Sequence, residues 1–159
     1  MKKISMLFGV LVFVLGLAGC SAAGGGPAAS PNPAPDKSVE EIIGMITEDA
    51  GIETQTMITV LDSENLPWFL FMDPVEGAEA VAADAMMSAV AHSVVLARMP
   101  EGTDMEALKR EVADKADPRK WICVEAEKTV VEVNGNLLLL VMSNDEVASA
   151  VAGHFLDLE

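Results

Sequence analysis

Hydrophobic residues recur along the chain in short runs, and the spacing within each run predicts its secondary structure. The apolar positions between Ile42 and Ile46 follow Ser38 and Glu41, which fit a helix capping box, and Gly51 marks the end of this first helix. The run at residues 57–61 is rich in β-prone side chains and predicts a strand that ends in a turn. The folded part of the chain is therefore expected to begin with a helix and a strand.

The next runs are more ambiguous. Residues 68–72 are apolar, but their type is left open. Residues 78–91 suit an alanine-rich helix or an alternating strand, and we interpret them as a strand followed by a turn around 86–90. Residues 92–99 predict another strand, closed by a Pro-Glu-Gly sequence.

Three signals organise the last third of the chain. Thr103 and Glu106 predict a second capping box, which opens a helix that ends before Pro118. Asn134-Gly135-Asn136 separates two apolar runs, and Asn-Gly is a strong hairpin signal because both residues tolerate positive φ. Asn144 predicts the cap of a final helix. This order of elements predicts an α+β fold, with a small, mainly antiparallel sheet and helices packed on one face.

The amino terminus indicates an export signal. Lys2 and Lys3 precede an apolar stretch at residues 4–17, shorter than the ~20 residues that a membrane-spanning helix needs. The next residues resemble the lipobox of bacterial lipoproteins, Leu17-Ala18-Gly19-Cys20. The resemblance implies that the sulfur of Cys20 carries a diacylglyceryl group and that the chain is cut just before this residue. Since two or more acyl chains hold a protein stably on a bilayer, Cys20 is predicted to be an anchor.

A composition change separates this anchor from the folded part. Residues 21–36 are mostly Gly, Ala, Pro, Ser and Asn, a composition typical of a flexible linker. No internal repeat or second linker follows, and 159 residues suit one domain. The predicted organisation is a signal peptide at 1–19, the lipidated cysteine with a disordered linker at 20–37, and a single α+β domain at 38–159.

The charge balance restricts the possible partners. The chain has 25 acidic and 10 basic side chains, and two of the basic ones lie in the predicted signal peptide, which leaves a formal charge of −17. Such a surface repels phosphodiester backbones, so nucleic acid is not an expected partner. It could instead attract cations or a basic protein. Aromatic residues make up only 4% of the chain, which argues against a stacking platform.

Cys123 is the one cysteine that remains once Cys20 is lipidated. It lies between Ile122 and Val124, and this apolar setting predicts a buried thiol. A reactive thiol would need a base, for which the chain offers only His92 and His154. A thiol-dependent enzyme using Cys123 is therefore an alternative hypothesis.

Five basic residues lie close together in the sequence and form a candidate interaction patch with the adjacent tryptophan. Its partner could be an anionic cell-wall polymer, a lipid head group or an acidic protein. Alternatively, Glu106 pairs with Arg110 and Glu111 with Lys115, each four residues apart on the helix, and the tryptophan is turned into the core. The patch consists of Lys109, Arg110, Lys115, Arg119, Lys120 and Trp121.

The second half of the chain resembles a family of small lipoproteins found mainly in Firmicutes, a domain of unknown function. The resemblance rests on four stretches: Met86-Met87-Ser88, His92-Ser93-Val94-Val95-Leu96, Pro100-Glu101-Gly102-Thr103-Asp104 and Asp117-Pro118-Arg119-Lys120-Trp121-Ile122-Cys123-Val124. It implies the lipid anchor and a place outside the cytoplasm, but no activity.

The chain lacks the common nucleotide-binding, hydrolase and zinc motifs. The prediction is a non-enzymatic binding or interaction module with no cofactor and no metal site. It is expected on the outer face of the bacterial cytoplasmic membrane, with the membrane as one partner, reached through the lipid, and an unknown extracytoplasmic ligand or protein as the other. Cation binding by the acidic surface is a further alternative.

Overall fold

The structure, a computed structural model, describes residues 32–159. The predicted signal peptide, Cys20 and the linker up to residue 31 lie outside the described residues. Within this range the elements are α1 (Val39–Thr47), β1 (Thr56–Leu61), α2 (Leu66–Leu70), β2 (Glu79–Ala85), β3 (Ser93–Arg98), α3 (Met105–Lys115), β4 (Lys128–Asn134), β5 (Leu137–Ser143) and α4 (Asp145–Leu156).

The five strands form one sheet in the order β1-β2-β3-β5-β4, and every neighbouring pair is antiparallel. The predicted α+β class with a mainly antiparallel sheet is confirmed. β5 pairs with β3 on one side and with its hairpin partner β4 on the other. The connection from β3 through α3 to β4 therefore carries the chain to the far edge of the sheet.

Helices cover both faces of the sheet, whereas the sequence suggested one. Helices α1 and α4 pack on one face, and α2 and α3 pack on the other. The reason lies in the central strands, since β5 is buried at all seven positions and β3 at five of six. A strand that is apolar on both sides must be covered on both sides, as in buried central strands generally.

The predicted helix starts are confirmed at two positions and shifted at a third. Ser38 and Asn144 cap α1 and α4 as predicted. In α3 the cap is Asp104, whose side chain accepts a hydrogen bond from the backbone N–H three residues on, at 2.9 Å. The predicted cap, Thr103, is wrong by one residue, because its hydroxyl donates to the carbonyl of Pro100 at 2.8 Å.

The β4–β5 hairpin is confirmed, but its turn lies one residue later than predicted. Asn134 pairs with Leu137, so that Gly135 and Asn136 are the two turn residues. Gly135 has φ of 58°, which glycine adopts without a Cβ clash. The side chain of Asn134 instead donates to two carbonyls at the end of α4, at 3.1 and 3.2 Å. This asparagine therefore ties the hairpin to the last helix.

The structure shows the secondary structure of the two segments that were ambiguous in the sequence. Residues 66–70 form the short helix α2, and 79–85 form the strand β2, followed by a turn as predicted.

Residues just before α1, which the sequence assigned to the linker, pack on the domain. Pro33 is buried, and the backbone N–H of Ala34 donates to the carbonyl of Glu159 at 2.9 Å. The guanidinium of Arg98 donates to the carbonyls of Lys37 and Ala34, at 2.9 and 3.1 Å. These hydrogen bonds hold the segment before α1 beside the carboxyl terminus of the domain.

Candidate binding pocket

Polar side chains meet on the α2 face at the point where β2 ends and β3 begins. Asp84 and Ser93 are direct cross-strand partners. The ammonium of Lys120 lies 2.7 Å from the Ser93 hydroxyl oxygen and 3.5 Å from Asp84 Oδ2. The buried residues that surround these three groups on this face of the sheet are apolar.

The connection between α3 and β4 holds Lys120 in this place. The backbone N–H of Lys120 donates to the carbonyl of Asp117 at 3.1 Å. A second bond, from the N–H of Ala126 to the carbonyl of Pro118 at 3.0 Å, closes the loop. Hydrogen bonds at both ends fix the backbone of this connection and so restrict where Lys120 and Trp121 can lie.

The short helix α2 lies opposite Lys120, and its own sequence sets where it begins and ends. The Asp62 side chain accepts hydrogen bonds from the N–H groups of Glu64 and Asn65, at 2.9 and 3.0 Å. Asp62 thus stabilises the turn at residues 62–65, which leads into α2. Pro67 lies in the first turn, and the helix ends at Phe71, which adopts a left-handed conformation with φ of 56°. Such a conformation is strained for an aromatic residue, and strain of this kind often occurs at binding sites.

Together these elements form a pocket of about 580 Å³, which we name the aromatic pocket. Its polar lining is Asp84, Asp117 and Lys120. Four of the five aromatic side chains in residues 32–159 line it, and the fifth, Phe155, is buried on the other face. The lining aromatics are Trp68, Phe69, Phe71 and Trp121.

Lys120 combines a charge with aromatic contacts. Its ammonium lies 5.2 Å from the ring centre of Phe69 and 5.1 Å from that of Trp121, within the range of cation–π attraction. Burial lowers the pKa of Lys120, and the neighbouring Asp84 carboxylate opposes that shift. The other carboxylate oxygen of Asp84, Oδ1, is buried and has no hydrogen-bond partner among residues 32–159.

The basic residues of the candidate interaction patch do not form one free positive surface, because four of the five form separate ion pairs. Lys109 pairs with Glu132 on β4, Lys115 with Glu111 at 2.6 Å, and Arg119 with Glu125 at 3.1 Å. Lys120 turns away from them toward the sheet, and Trp121 is half-buried in the aromatic pocket beside it. Arg110 is exposed and pairs with no carboxylate within the described range. The predicted Glu111–Lys115 pair is thus present, whereas the predicted Glu106–Arg110 pair is not.

Cys123 is exposed, so the prediction of a buried thiol is wrong. Its apolar neighbour Ile122 is fully exposed, at 101% of the reference area. Both residues lie in the α3–β4 connection and not in a strand, so an apolar neighbourhood in the sequence did not produce burial. No histidine forms a hydrogen bond with Cys123 within the part of the chain that the structure describes.

The two histidines are held by local partners. His92 is buried, and its Nδ1 lies 3.0 Å from the Ser143 hydroxyl oxygen. Burial lowers the pKa of His92, Asp84 opposes the shift and Lys120 adds to it. His154 Nδ1 lies 3.1 Å from the carbonyl of Ile46, which links α4 to α1.

Sequence reasoning found Lys120 and Trp121 but missed the rest of the pocket. Asp84 and Ser93 come together only through the register of β2 and β3, and this register could not be predicted from the sequence. A signal for the aromatics existed in Trp68-Phe69-Leu70-Phe71, which holds three of them. The low aromatic content argued against a stacking surface, but the position of the rings matters more than their number.

Residues 32–159 contain no group of three or more His, Cys, Asp or Glu side chains placed to hold a metal ion. No helix in the same range is long and apolar enough to cross a membrane.

Comparison of the chain with protein-family models, with curated proteins and with solved structures gave no match. The resemblance to small Firmicutes lipoproteins therefore stays a prediction from the sequence.

Proposed function

We propose that this chain is a lipid-anchored, non-enzymatic binding module on the outer face of a bacterial cytoplasmic membrane, and that its ligand occupies the aromatic pocket. The anchor rests on the basic start, the apolar stretch and the lipobox-like sequence that ends at Cys20. The ligand site rests on the geometry of the aromatic pocket. Because the anchor and the ligand site have separate support, each has its own experiment.

The observation that carries the ligand site is the clustering of aromatic side chains. A chain with few aromatic residues places four of them around one pocket, and Trp68 is 78% exposed there. Exposed aromatic surface beside buried polar groups is typical of ligand sites, because the rings supply contact area and the polar groups supply orientation. A purely structural role would favour burial of Trp68.

The chemistry of the walls indicates the kind of ligand. Tryptophan and phenylalanine rings pack against a ring or alkyl face, while Lys120 donates hydrogen bonds and Asp84 and Asp117 accept them. A ligand with one apolar face and a hydroxyl-bearing edge fits this combination. A sugar ring has both features.

The anchor is tested by fractionating cells that express the full chain. Cys20→Ala is expected to move the protein from the membrane fraction to the soluble extracytoplasmic fraction. Cys123→Ala is the matched control, because it removes the other thiol and is expected to leave the protein on the membrane. Membrane retention of the Cys20→Ala variant would contradict the anchor.

The pocket is tested by intrinsic fluorescence, since both tryptophans of the chain line it. Titration with a tri-N-acetylglucosamine oligomer is expected to give a saturable change. Trp68→Ala should weaken binding by about tenfold, the loss of one stacked ring, with Trp121 as the remaining reporter. Met57→Ala, which truncates an exposed apolar side chain elsewhere, should leave the affinity unchanged. Equal affinity in all three proteins would show that the pocket is not the site.

Exposure of Cys123 favours one second candidate, a thiol-dependent enzyme. The two functions differ in the reactivity that they require. An activated thiol reacts with iodoacetamide faster than free cysteine at neutral pH, whereas an exposed thiol without a base reacts at an ordinary rate or more slowly. Mass spectrometry of the folded chain during labelling measures this rate, and we expect the ordinary one.

A further inference from the structure

A second depression lies on the opposite face of the sheet, and no part of the proposed function uses it. It has a volume of about 790 Å³ and lies between the end of α1, the β2–β3 turn and the start of α4. We name it the acidic cleft, because its charged lining is Glu53, Glu125, Glu127 and Glu146. Within residues 32–159 no lysine or arginine lines it.

Three of the four carboxylates have no basic partner within residues 32–159. Arg119 pairs with Glu125 at the rim. Glu127 accepts a hydrogen bond from the backbone N–H of Asp145 at 3.3 Å, and Glu53 and Glu146 form no ion pair with the described residues. The potential in the cleft is therefore negative, which favours a cation.

His92 supplies a second, independent observation. His92 lines the cleft and is buried, with 2% of the residue's area exposed. Its Nδ1 is held by Ser143, but Nε2 has no hydrogen-bond partner among residues 32–159. A buried polar atom of this kind is costly unless it is paired, so it indicates a missing partner. When Nδ1 donates to the serine, Nε2 carries a lone pair and needs a donor.

The amino terminus of α4 does not reverse this preference. A helix start attracts anions, but Asp145 and Glu146 already lie in its first turn, and the Asn144 side chain accepts from Val147 N–H at 2.8 Å. The walls are also partly apolar, with Val90 and Val124 among them.

We propose that the acidic cleft binds an organic cation that has a primary or secondary ammonium group on a short alkyl chain. The ammonium group donates a hydrogen bond to His92 Nε2 and is attracted by the carboxylates, while the alkyl chain contacts the apolar wall. Burial keeps His92 neutral, because it lowers the pKa of the imidazole, and so preserves the acceptor. This site is separate from the aromatic pocket and does not depend on the proposed function.

Calorimetric titration of the full chain in a neutral detergent tests the proposal, with cadaverine as the probe. Saturable one-to-one binding is expected. The uncharged analogue 1,5-pentanediol and the dianion glutarate should not bind. Nitrogen NMR of the imidazoles, in the same sample, should show a shift of His92 Nε2 on addition of cadaverine and no shift of His154. Failure of cadaverine to bind, or equal binding of pentanediol, would overturn the proposal.

A matched pair of variants separates a built site from the general attraction of an acidic protein. Replacing Glu53, Glu127 and Glu146 by glutamine should weaken cadaverine binding by about tenfold, since the local carboxylates hold the cation. Replacing the exposed Glu40, Glu76 and Glu101 changes the net charge equally and should leave binding unchanged. An equal loss in both triple variants would reduce the effect to diffuse attraction and overturn the site.

One further variant keeps the two proposals apart. Trp121→Ala alters the aromatic pocket but does not line the cleft, so cadaverine binding should persist in it. Loss of cadaverine binding in this variant would place the cation in the aromatic pocket and overturn the assignment to the cleft.

Discussion

Lys120 joins the two kinds of interaction in the aromatic pocket, because it contacts both the rings and the Asp84 carboxylate. Its side chain is only 14% exposed and that of Asp84 25% exposed. Attraction between the two is therefore less screened than in a surface pair, and removal of one partner leaves the other poorly solvated. The pair is thus expected to matter for stability as well as for the ligand.

We predict that Lys120→Met lowers the free energy of unfolding by about 1–3 kcal/mol, because the partly buried Asp84 carboxylate loses its ion pair with Lys120. Urea denaturation measures the change. Lys115→Met is the matched control, since the side chains of Lys115 and its partner Glu111 are 52% and 40% exposed, and it should cost much less than Lys120→Met. The Lys120→Met and Asp84→Asn double variant should lose less than the sum of the single variants. Equal costs for the two lysines would show that the buried pair contributes nothing special.

His92 predicts a dependence of stability on pH. Burial lowers its pKa in the folded state, so the unfolded chain takes up a proton near pH 6.5 that the folded chain does not. Between pH 7 and pH 5.5 the free energy of unfolding should therefore fall with decreasing pH, by at most ~1.4 kcal/mol per unit for one proton. The charged groups that act on the ring are Asp84, which opposes this shift, and Lys120, which adds to it.

The variants for this prediction are His92→Gln and His154→Gln, each measured by urea denaturation across the same pH range. The slope should be absent in the first and present in the second, which leaves His92 in place. A slope that survives in His92→Gln would assign the effect to other groups.

Among the elements, α3 provides a test of which residue caps a helix. Thr103 and Asp104 are adjacent and both suit the position, but only Asp104 accepts the hydrogen bond from the first turn. We predict that Asp104→Ala lowers the free energy of unfolding by about 1 kcal/mol. Glu106→Ala should cost less, since the predicted capping box that would use its side chain is not formed. Thermal denaturation of the two variants measures the difference, and a larger loss from Glu106→Ala would contradict the assigned cap.

Sequence predicted the elements well and their surroundings poorly, for a physical reason. Caps and strands are set by neighbours a few residues away, so Ser38, Asn144 and the runs of β3 and β5 were recognisable. Burial depends on what covers a residue from elsewhere in the chain. Cys123 and Ile122 have an apolar local sequence, but no element covers them.

The same limit applies to the candidate sites. The basic residues near Trp121 looked like one patch because they are close in the sequence, yet Lys109 and Lys120 pair with Glu132 and Asp84 on two different strands. Arg119 pairs with Glu125 inside its own loop. The sheet register therefore decided where two of these charges find their partners. The aromatic pocket likewise depends on the loop after α3 meeting α2.

Across the whole molecule, repulsion among like charges and attraction within ion pairs have opposite effects on stability. Residues 32–159 carry a formal charge of −17, and five ion pairs join basic to acidic side chains within that range. Exposed pairs contribute only about 0.2–1 kcal/mol each, and salt weakens them. Repulsion among the remaining carboxylates destabilises the compact state, and salt weakens it as well. The sign of the salt effect shows which of the two is larger.

We predict that repulsion is larger, because five bases pair and 20 acidic side chains have no basic partner within the described range. The free energy of unfolding should rise by on the order of 1 kcal/mol between 10 and 150 mM NaCl, as the Debye length shortens from about 30 to about 8 Å. Replacing the exposed Glu40, Glu76 and Glu101 by lysine makes the net charge six units less negative and should reduce this rise. Urea denaturation at each salt concentration measures both proteins. A fall in stability with added salt would mean that the ion pairs, few as they are, outweigh the repulsion of the acidic surface.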